Sequence, residues 1–173
     1  RFPEGTDEVK KICDQIHLGA MTFMKTEYLY LTIFTIVVIV LVWMFLGQDT
    51  AIAVLAGALS SSIAGWIGMY SATKANVRTA TAASESGAET ALSVAFYGGS
   101  IMGLCVASLG LIGLGPLYYL LSGDAHSIEG FAMGASIVAL FSRVGGGIFT
   151  KSADVGADLV GKLEFGIAED DPR

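Results

Sequence analysis

The sequence predicts an all-α protein, a bundle of four helices that each cross a membrane. Of its 173 residues, 53% are apolar and only 15% are charged, whereas about a quarter of the residues of a typical soluble domain carry charge. The mean hydropathy is +0.64. Four apolar segments also reach the roughly 20 residues that a spanning helix needs. In lipid such a segment satisfies its backbone groups by becoming helical.

The balance of charge argues against a nucleic-acid-binding protein. The formal net charge is −6 and the pI is near 4.7, so no basic surface is available to neutralise phosphate backbones. The two cysteines, Cys13 and Cys105, do not make a disulfide framework. Because the chain begins with Arg1 and ends without an obvious stop at Arg173, we expect it to be a piece of a longer protein.

The four predicted spans differ in length and in the residues that interrupt them. The fourth begins near residue 128, contains Arg143 and continues past Lys151. The third is longer than one bilayer requires, which tilt, a kink near Pro116 or an extension beyond the lipid would absorb. The first three segments cover residues 28–46, 50–73 and 90–123.

The basic residues predict the orientation of the chain in the membrane. The connections 47–49 and 122–129 contain no Lys or Arg, and the opposite side holds Lys10, Lys11, Lys25, Lys74, Arg78, Lys151 and Lys162. The positive-inside rule therefore places three segments in the cytoplasm: 1–27, 74–89 and 151–173. We expect 1–27 to be helical, either extending the first span or lying on the membrane surface. We expect 74–89 to be a loop between helices that project beyond the lipid.

Small residues recur at every fourth position of the second and third spans. They are Ala53, Gly57, Ser61 and Gly65 in the second span, and Gly99 and Gly103 in the third. This spacing is typical of a smooth strip on which another helix packs.

The residues that indicate chemistry are concentrated in 141–166. On a helix that turns by about 100° per residue, five charged side chains fall within an arc of roughly 100°. Arg143 lies about 12 Å along the axis from Lys151, at a rise of 1.5 Å per residue. The five side chains are Arg143, Lys151, Asp154, Asp158 and Lys162.

Two kinds of site follow from this face of the helix. Arg143 is predicted to lie within the membrane, where an arginine is a functional candidate by default. Asp154 and Asp158, one turn apart, present oxygen ligands suited to Mg²⁺. Lys151 suits an anionic phosphate group, and a metal ion would remove the repulsion between that group and the carboxylates.

Simpler interpretations remain open on spacing alone. Lys151 and Asp154 also fit an ordinary i, i+3 ion pair. Arg143 could reach the interface with its long side chain, although its distance from Lys151 argues against this. The run Gly145-Gly146-Gly147 lacks the Walker pattern of a phosphate loop.

A resemblance to a known family narrows these alternatives. The run RVGGGIFTKSADVGADLVGKLE, with EDDPR at 169–173, resembles the signature of the membrane-bound, ion-translocating pyrophosphatases. Stretches 25–28, 75–80 and 95–99 also resemble parts of that family, so the similarity covers most of the chain. Ser152 is a minor variation within the signature.

The resemblance implies a homodimeric pump in the lipid bilayer that hydrolyses inorganic pyrophosphate, as its Mg²⁺ complex, on the cytoplasmic side. It would move H⁺ or, in some members, Na⁺. By family motif, Lys151 contacts pyrophosphate, Asp154 and Asp158 belong to the Mg–pyrophosphate site, and Arg143 belongs to the ion gate. A further acidic motif would follow Arg173, so this chain alone is not expected to hydrolyse pyrophosphate.

Two other functions remain as alternatives from the residues themselves. A transporter or channel without hydrolysis would use Arg143 but no metal–phosphate cluster. In a structural membrane subunit, Asp154 and Asp158 would merely be solvated at a helix end. The sequence leaves open both the pumped ion and the membrane, which is a bacterial plasma membrane or that of a vacuole or acidocalcisome.

Overall fold

The computed structural model describes residues 2–121 and 125–167, which form four long α-helices. Each of the four is long and apolar enough to cross a membrane, which confirms the predicted all-α transmembrane class. One π-helical turn, Val160–Glu164, follows the last helix. The helices are α1 (Asp7–Leu46), α2 (Gln48–Ser86), α3 (Ala88–Leu120) and α4 (Ala125–Leu159).

Single glycines join the first three helices. Gly47 between α1 and α2 has φ +99°, and Gly87 between α2 and α3 has φ +84°. A side chain is strained at such angles, so glycine is the residue that permits a reversal this short. The two turns lay α2 antiparallel to both of its neighbours in the chain.

The predicted loop 74–89 is helical instead, and the predicted helix in 1–27 extends the first span. The stretch 74–89 continues α2 as far as Ser86, and the turn is confined to Gly87. From Asp7 onward, the segment 1–27 belongs to the same helix as the first span, so it is not a separate surface helix. The segment 74–89 is rich in alanine, which favours helix. Part of the predicted connection 122–129 and the run 168–173 lie outside the described residues.

The extended ends of α1 and α2 support each other. His17 Nδ1 lies 2.7 Å from Thr73 Oγ1, and the Cys13 thiol donates to the Thr73 carbonyl over 3.5 Å. Lys74 Nζ lies 3.9 Å from a carboxylate oxygen of Asp14. These polar contacts join the two helices where their sequences are no longer apolar, and so account for helices longer than a bilayer requires.

Helix α2 is the centre of the bundle and packs against the other three helices. Its strip of small residues lets α4 approach closely, as predicted, because a Cβ at Gly57 would overlap the carbonyl of Phe131. The corresponding strip on α3 is not used in this way, because no atom of another described helix lies within 4 Å of a Cβ built at Gly99 or Gly103. Gly98 packs instead against Ala75.

Candidate functional site

Helix α4 carries all four predicted site residues without interruption. Arg143, Lys151, Asp154 and Asp158 all lie within Ala125–Leu159, so the rise of 1.5 Å per residue places Arg143 about 12 Å from Lys151 along the axis. The three glycines at 145–147 are also inside this helix. They therefore form no phosphate-binding loop, in agreement with their lack of a Walker pattern.

Lys151 and Asp154 form a hydrogen-bonded ion pair at the end of α4. Lys151 Nζ donates to Asp154 Oδ2 over 2.9 Å, and the side chains are 79% and 59% exposed. This hydrogen bond raises the pKa of Lys151, with a smaller contribution from the charge of Asp158. The lysine is therefore cationic throughout the physiological range of pH. The structure thus brings Lys151, Asp154 and Asp158 together on one side of the helix.

The ion pair agrees with the simplest interpretation of the spacing, an ordinary i, i+3 pair. It does not prevent Lys151, Asp154 and Asp158 from binding a ligand. An exposed i, i+3 pair contributes little to stability, because water screens it and two long side chains lose freedom. Lys151 and Asp154 can therefore each leave the ion pair and contact a ligand instead. The arrangement offers one cation and two carboxylates to a ligand that carries negative charge and metal ions.

The carboxylates of α4 make only part of a metal site. Within residues 2–121 and 125–167, no group of three or more His, Cys, Asp or Glu side chains is placed to hold a metal ion. Asp154 and Asp158 nevertheless have the donor chemistry that Mg²⁺ prefers, since Mg²⁺ commonly takes one or two carboxylates together with water and substrate phosphates. The donor set fits Mg²⁺ as two ligands of a larger site.

Arg143 lies on an exposed face of α4. Among the described residues it has neither an ion pair nor a hydrogen bond. The neighbouring Gly145, two residues and about 200° further round the helix, faces α1 instead. Arg143 therefore points away from the contact between α1 and α4.

Lys162 lies beyond the end of α4, in the turn Val160–Glu164. Its place on the common face assumed that α4 continues as an α-helix, whereas the turn Val160–Glu164 is π-helical. A π turn closes with i→i+5 hydrogen bonds and adds a residue to the turn, which rotates everything that follows. The few steps from Leu159 to Lys162 each turn slightly less than in an α-helix, so Lys162 stays close to the face that carries Lys151.

Glu27 is a further candidate functional residue that the sequence motifs do not include, and it lies in an unusual environment. It is the only acidic residue between Asp14 and Asp49, and it immediately precedes the first apolar run. Both of its carboxylate oxygens are buried, and no hydrogen-bond partner is found for them in the part of the chain that the structure covers. In the sequence, the only indication of this environment is a single acidic residue next to an apolar run.

A cavity of about 380 Å³ lies between α2, α3 and α4. Apart from three serines its lining is apolar, so it offers neither charge nor metal ligands to a phosphate compound. Its serines are Ser60, Ser61 and Ser142.

Comparisons with known proteins match the chain to one family over its whole length. The sequence profile of the family described as "Inorganic H+ pyrophosphatase" matches residues 1–173. A K⁺-insensitive pyrophosphate-energized proton pump of Methanosarcina mazei is 50% identical over 98% of this chain and 25% of its own length. A proton pump of the same description from Moorella thermoacetica is 46% identical, over 98% of this chain and 26% of its own length.

A sodium pump is also among the relatives. The K⁺-stimulated pyrophosphate-energized sodium pump of Thermotoga maritima is 42% identical over 100% of this chain and 27% of its own length. The chain thus spans about a quarter of the length of the curated relatives that it matches.

Proposed function

The chain belongs to the inorganic H⁺ pyrophosphatase family, and from this membership we propose that it forms part of a membrane pump driven by pyrophosphate. The proposed reaction is hydrolysis of inorganic pyrophosphate, coupled to the movement of H⁺ or Na⁺ across the bilayer. H⁺ and Na⁺ are both candidates for the transported ion, because the relatives are named as proton pumps and as a sodium pump.

One observation carries the proposal: a single uninterrupted helix holds the exposed Lys151–Asp154 pair at one end and Arg143 about 12 Å further along. The first group suits a charged phosphate compound. The second is an arginine that we place at a depth where the membrane would make an uncompensated charge costly. A rigid rod that joins the two transmits a displacement at either end to the other.

In the proposed mechanism, Lys151 exchanges its ion pair with Asp154 for contacts with pyrophosphate oxygens. Asp154 and Asp158 would hold Mg²⁺, which neutralises the phosphate oxygens when it is bound. Releasing Lys151 from Asp154 frees a carboxylate at the same moment that the lysine acquires the substrate. The remaining ligands and the group that orients the attacking water belong to the rest of the longer protein.

Arg143 is proposed to act in the ion path. A cation in this position stabilises a nearby carboxylate and so lowers the affinity of that carboxylate for a proton. No described carboxylate pairs with Arg143, so its partner is assigned to other parts of the pump. Movement of α4 when pyrophosphate binds would change the distance between Arg143 and that partner.

The orientation and assembly of the pump are further parts of the proposal. The basic residues of 1–27, 74–89 and 151–173 support a cytoplasmic location for the pyrophosphate site. The membrane is a bacterial plasma membrane or that of a vacuole or acidocalcisome. The assembly is proposed to be a homodimer.

The experiment that tests the pyrophosphate site uses the full-length protein in membranes. Lys151→Ala removes the cation, so we expect Mg²⁺-dependent release of phosphate to fall by about two orders of magnitude, in line with the loss of a charge-assisted contact. Asp154→Ala should have a comparable effect. Phosphate release is measured at saturating Mg²⁺.

A matched control is present on α1. Lys10 and Asp7 form another exposed i, i+3 ion pair, with an N–O distance of 3.4 Å, and Lys10→Ala should leave phosphate release unchanged. Normal activity in Lys151→Ala would remove the site assignment. Ion transport without any release of phosphate by the unmodified protein would favour a transporter that does not hydrolyse pyrophosphate.

A further inference from the structure

The carboxyl group of Glu27 is buried without a polar partner between α1 and α4. Neither Oε1 nor Oε2 reaches solvent, and neither forms a hydrogen bond among the residues that the structure describes. The covering atoms belong to this chain, so other parts of a longer protein do not reach the two oxygens unless the helices move apart. A buried group of this kind requires an explanation.

Gly145 of α4 provides the space that Glu27 occupies. A Cβ built at Gly145 would overlap Oε1 of Glu27, would lie 3.1 Å from its Cδ, and would lie 3.3 Å from Cζ of Phe23. The carboxyl therefore packs directly on the backbone of α4. A methyl group at 145 would require the Glu27 carboxyl group to shift away from α4.

Two aromatic pairs lie on either side of this contact. Phe34 and Phe141 have ring centroids 4.9 Å apart, and Phe23 and Phe149 are stacked with the same separation. Positions 141, 145 and 149 of α4 are successive turns of one face. The carboxyl of Glu27 thus interrupts an otherwise apolar seam, at a level of α4 between Arg143 and Lys151.

No cation of the surrounding helices compensates a charge on Glu27. On α4, Arg143 forms no ion pair and Lys151 pairs with Asp154. On α2, Lys74 and Arg78 pair with acidic residues near the start of the chain, Asp14 and Glu4. Lys25 and Tyr28 lie close to Glu27 on α1 itself, and Tyr70 is a titratable residue of α2; none of them forms an ion pair with Glu27 in the described chain.

We propose that Glu27 is a positioning residue that carries a proton while α1 lies against α4, and that its ionisation separates the two helices at Gly145. An uncompensated carboxylate in an apolar seam is strongly disfavoured, whereas the neutral acid is tolerated. When the acid gives its proton to water, the resulting carboxylate is stable only if the seam opens and water enters. Protonation from water reverses the step and closes the seam.

Ionisation of Glu27 also has a consequence for activity, which rests on the proposed function. Separation at Gly145 displaces α4 between its substrate end and Arg143. The proton on Glu27 then becomes a condition for the arrangement in which Lys151 binds pyrophosphate. Hydrolysis of pyrophosphate should consequently decline at alkaline pH as Glu27 ionises.

The first test does not depend on activity. In the full-length protein at neutral pH, infrared spectroscopy should detect the C=O stretch of a protonated carboxylic acid that is lost in Glu27→Gln. Glu27→Asp keeps the acid and should retain a stretch of this kind. Glu8→Gln alters an exposed acid on the same helix and should leave the spectrum of protonated acids unchanged.

The second test uses the pH profile of phosphate release. Gln mimics the neutral acid, so the alkaline decline of the unmodified protein should move up by at least about one pH unit in Glu27→Gln. Gly145→Ala should lower activity at every pH because its methyl group overlaps the carboxyl. Glu27→Ala in the same chain should restore part of that loss.

The proposal is overturned if the protonated-acid signal persists in Glu27→Gln, or if the alkaline decline keeps its midpoint. An unmodified protein that releases no phosphate would contradict the proposed function and leave the infrared result to decide the protonation of Glu27.

Discussion

Gly57 of α2 and Gly134 of α4 each lie against the backbone of the other's helix at one crossing. A Cβ at Gly57 would meet the carbonyl of Phe131 and lie 3.0 Å from the nitrogen of Ala135, and a Cβ at Gly134 would meet the carbonyl of Val54. Backbone contact of this kind replaces the hydrophobic effect as the source of helix association in lipid. It fixes α4, and hence its charged face, relative to the centre of the bundle.

Gly134→Ala should therefore destabilise the protein. The added methyl group meets backbone atoms that cannot turn aside, so we expect a loss of about 1–3 kcal/mol, the usual cost of overpacking. Thermal unfolding of the purified full-length protein measures the change. Gly19→Ala is the control, because no atom of another described helix lies within 4 Å of a Cβ at that position. Equal stability of the two variants would show that the crossing is not close-packed.

Tyr28→Phe should loosen the contact between α1 and α2. The Tyr28 hydroxyl donates to the carbonyl of Ser62 over 2.7 Å, and its removal should cost about 0.5–1.5 kcal/mol in the free energy of unfolding. Tyr30→Phe removes the hydroxyl of an exposed tyrosine on the same helix and should have no measurable effect. Indistinguishable unfolding of the two variants would show that the hydrogen bond contributes nothing.

Asp158→Asn should raise the Mg²⁺ requirement of the full-length enzyme. Replacing a charged oxygen ligand by a neutral amide weakens the hold on a hard cation, and we expect the Mg²⁺ concentration for half-maximal phosphate release to rise at least about tenfold, or about 1.4 kcal/mol. The measurement is a Mg²⁺ titration at fixed pyrophosphate. Asp7→Asn, in the exposed first turn of α1, should titrate like the unmodified protein, and an unshifted curve for Asp158→Asn would exclude it as a ligand.

Hydropathy and helical periodicity predict the four helices and the common face of Arg143, Lys151, Asp154 and Asp158. These features depend on local pattern, since length sets a membrane span and 3.6 residues per turn sets a face. The full lengths of α1 and α2 are harder to predict from the sequence, because their polar ends are held together by tertiary contacts such as His17–Thr73.

Other features require knowledge of which helices meet. Spacing cannot show that Gly98 rather than Gly99 contacts α2. Nor can it show that Glu27 lies against Gly145. Each of these follows from the packing of helices that are distant in sequence.

The most direct test of the central claim is the number of ions moved for each pyrophosphate cleaved by Arg143→Ala in sealed vesicles. If α4 links a pyrophosphate site to an ion path through Arg143, the variant should still bind and cleave pyrophosphate while the ratio falls towards zero. An unchanged ratio of ions to pyrophosphate in Arg143→Ala would contradict the link.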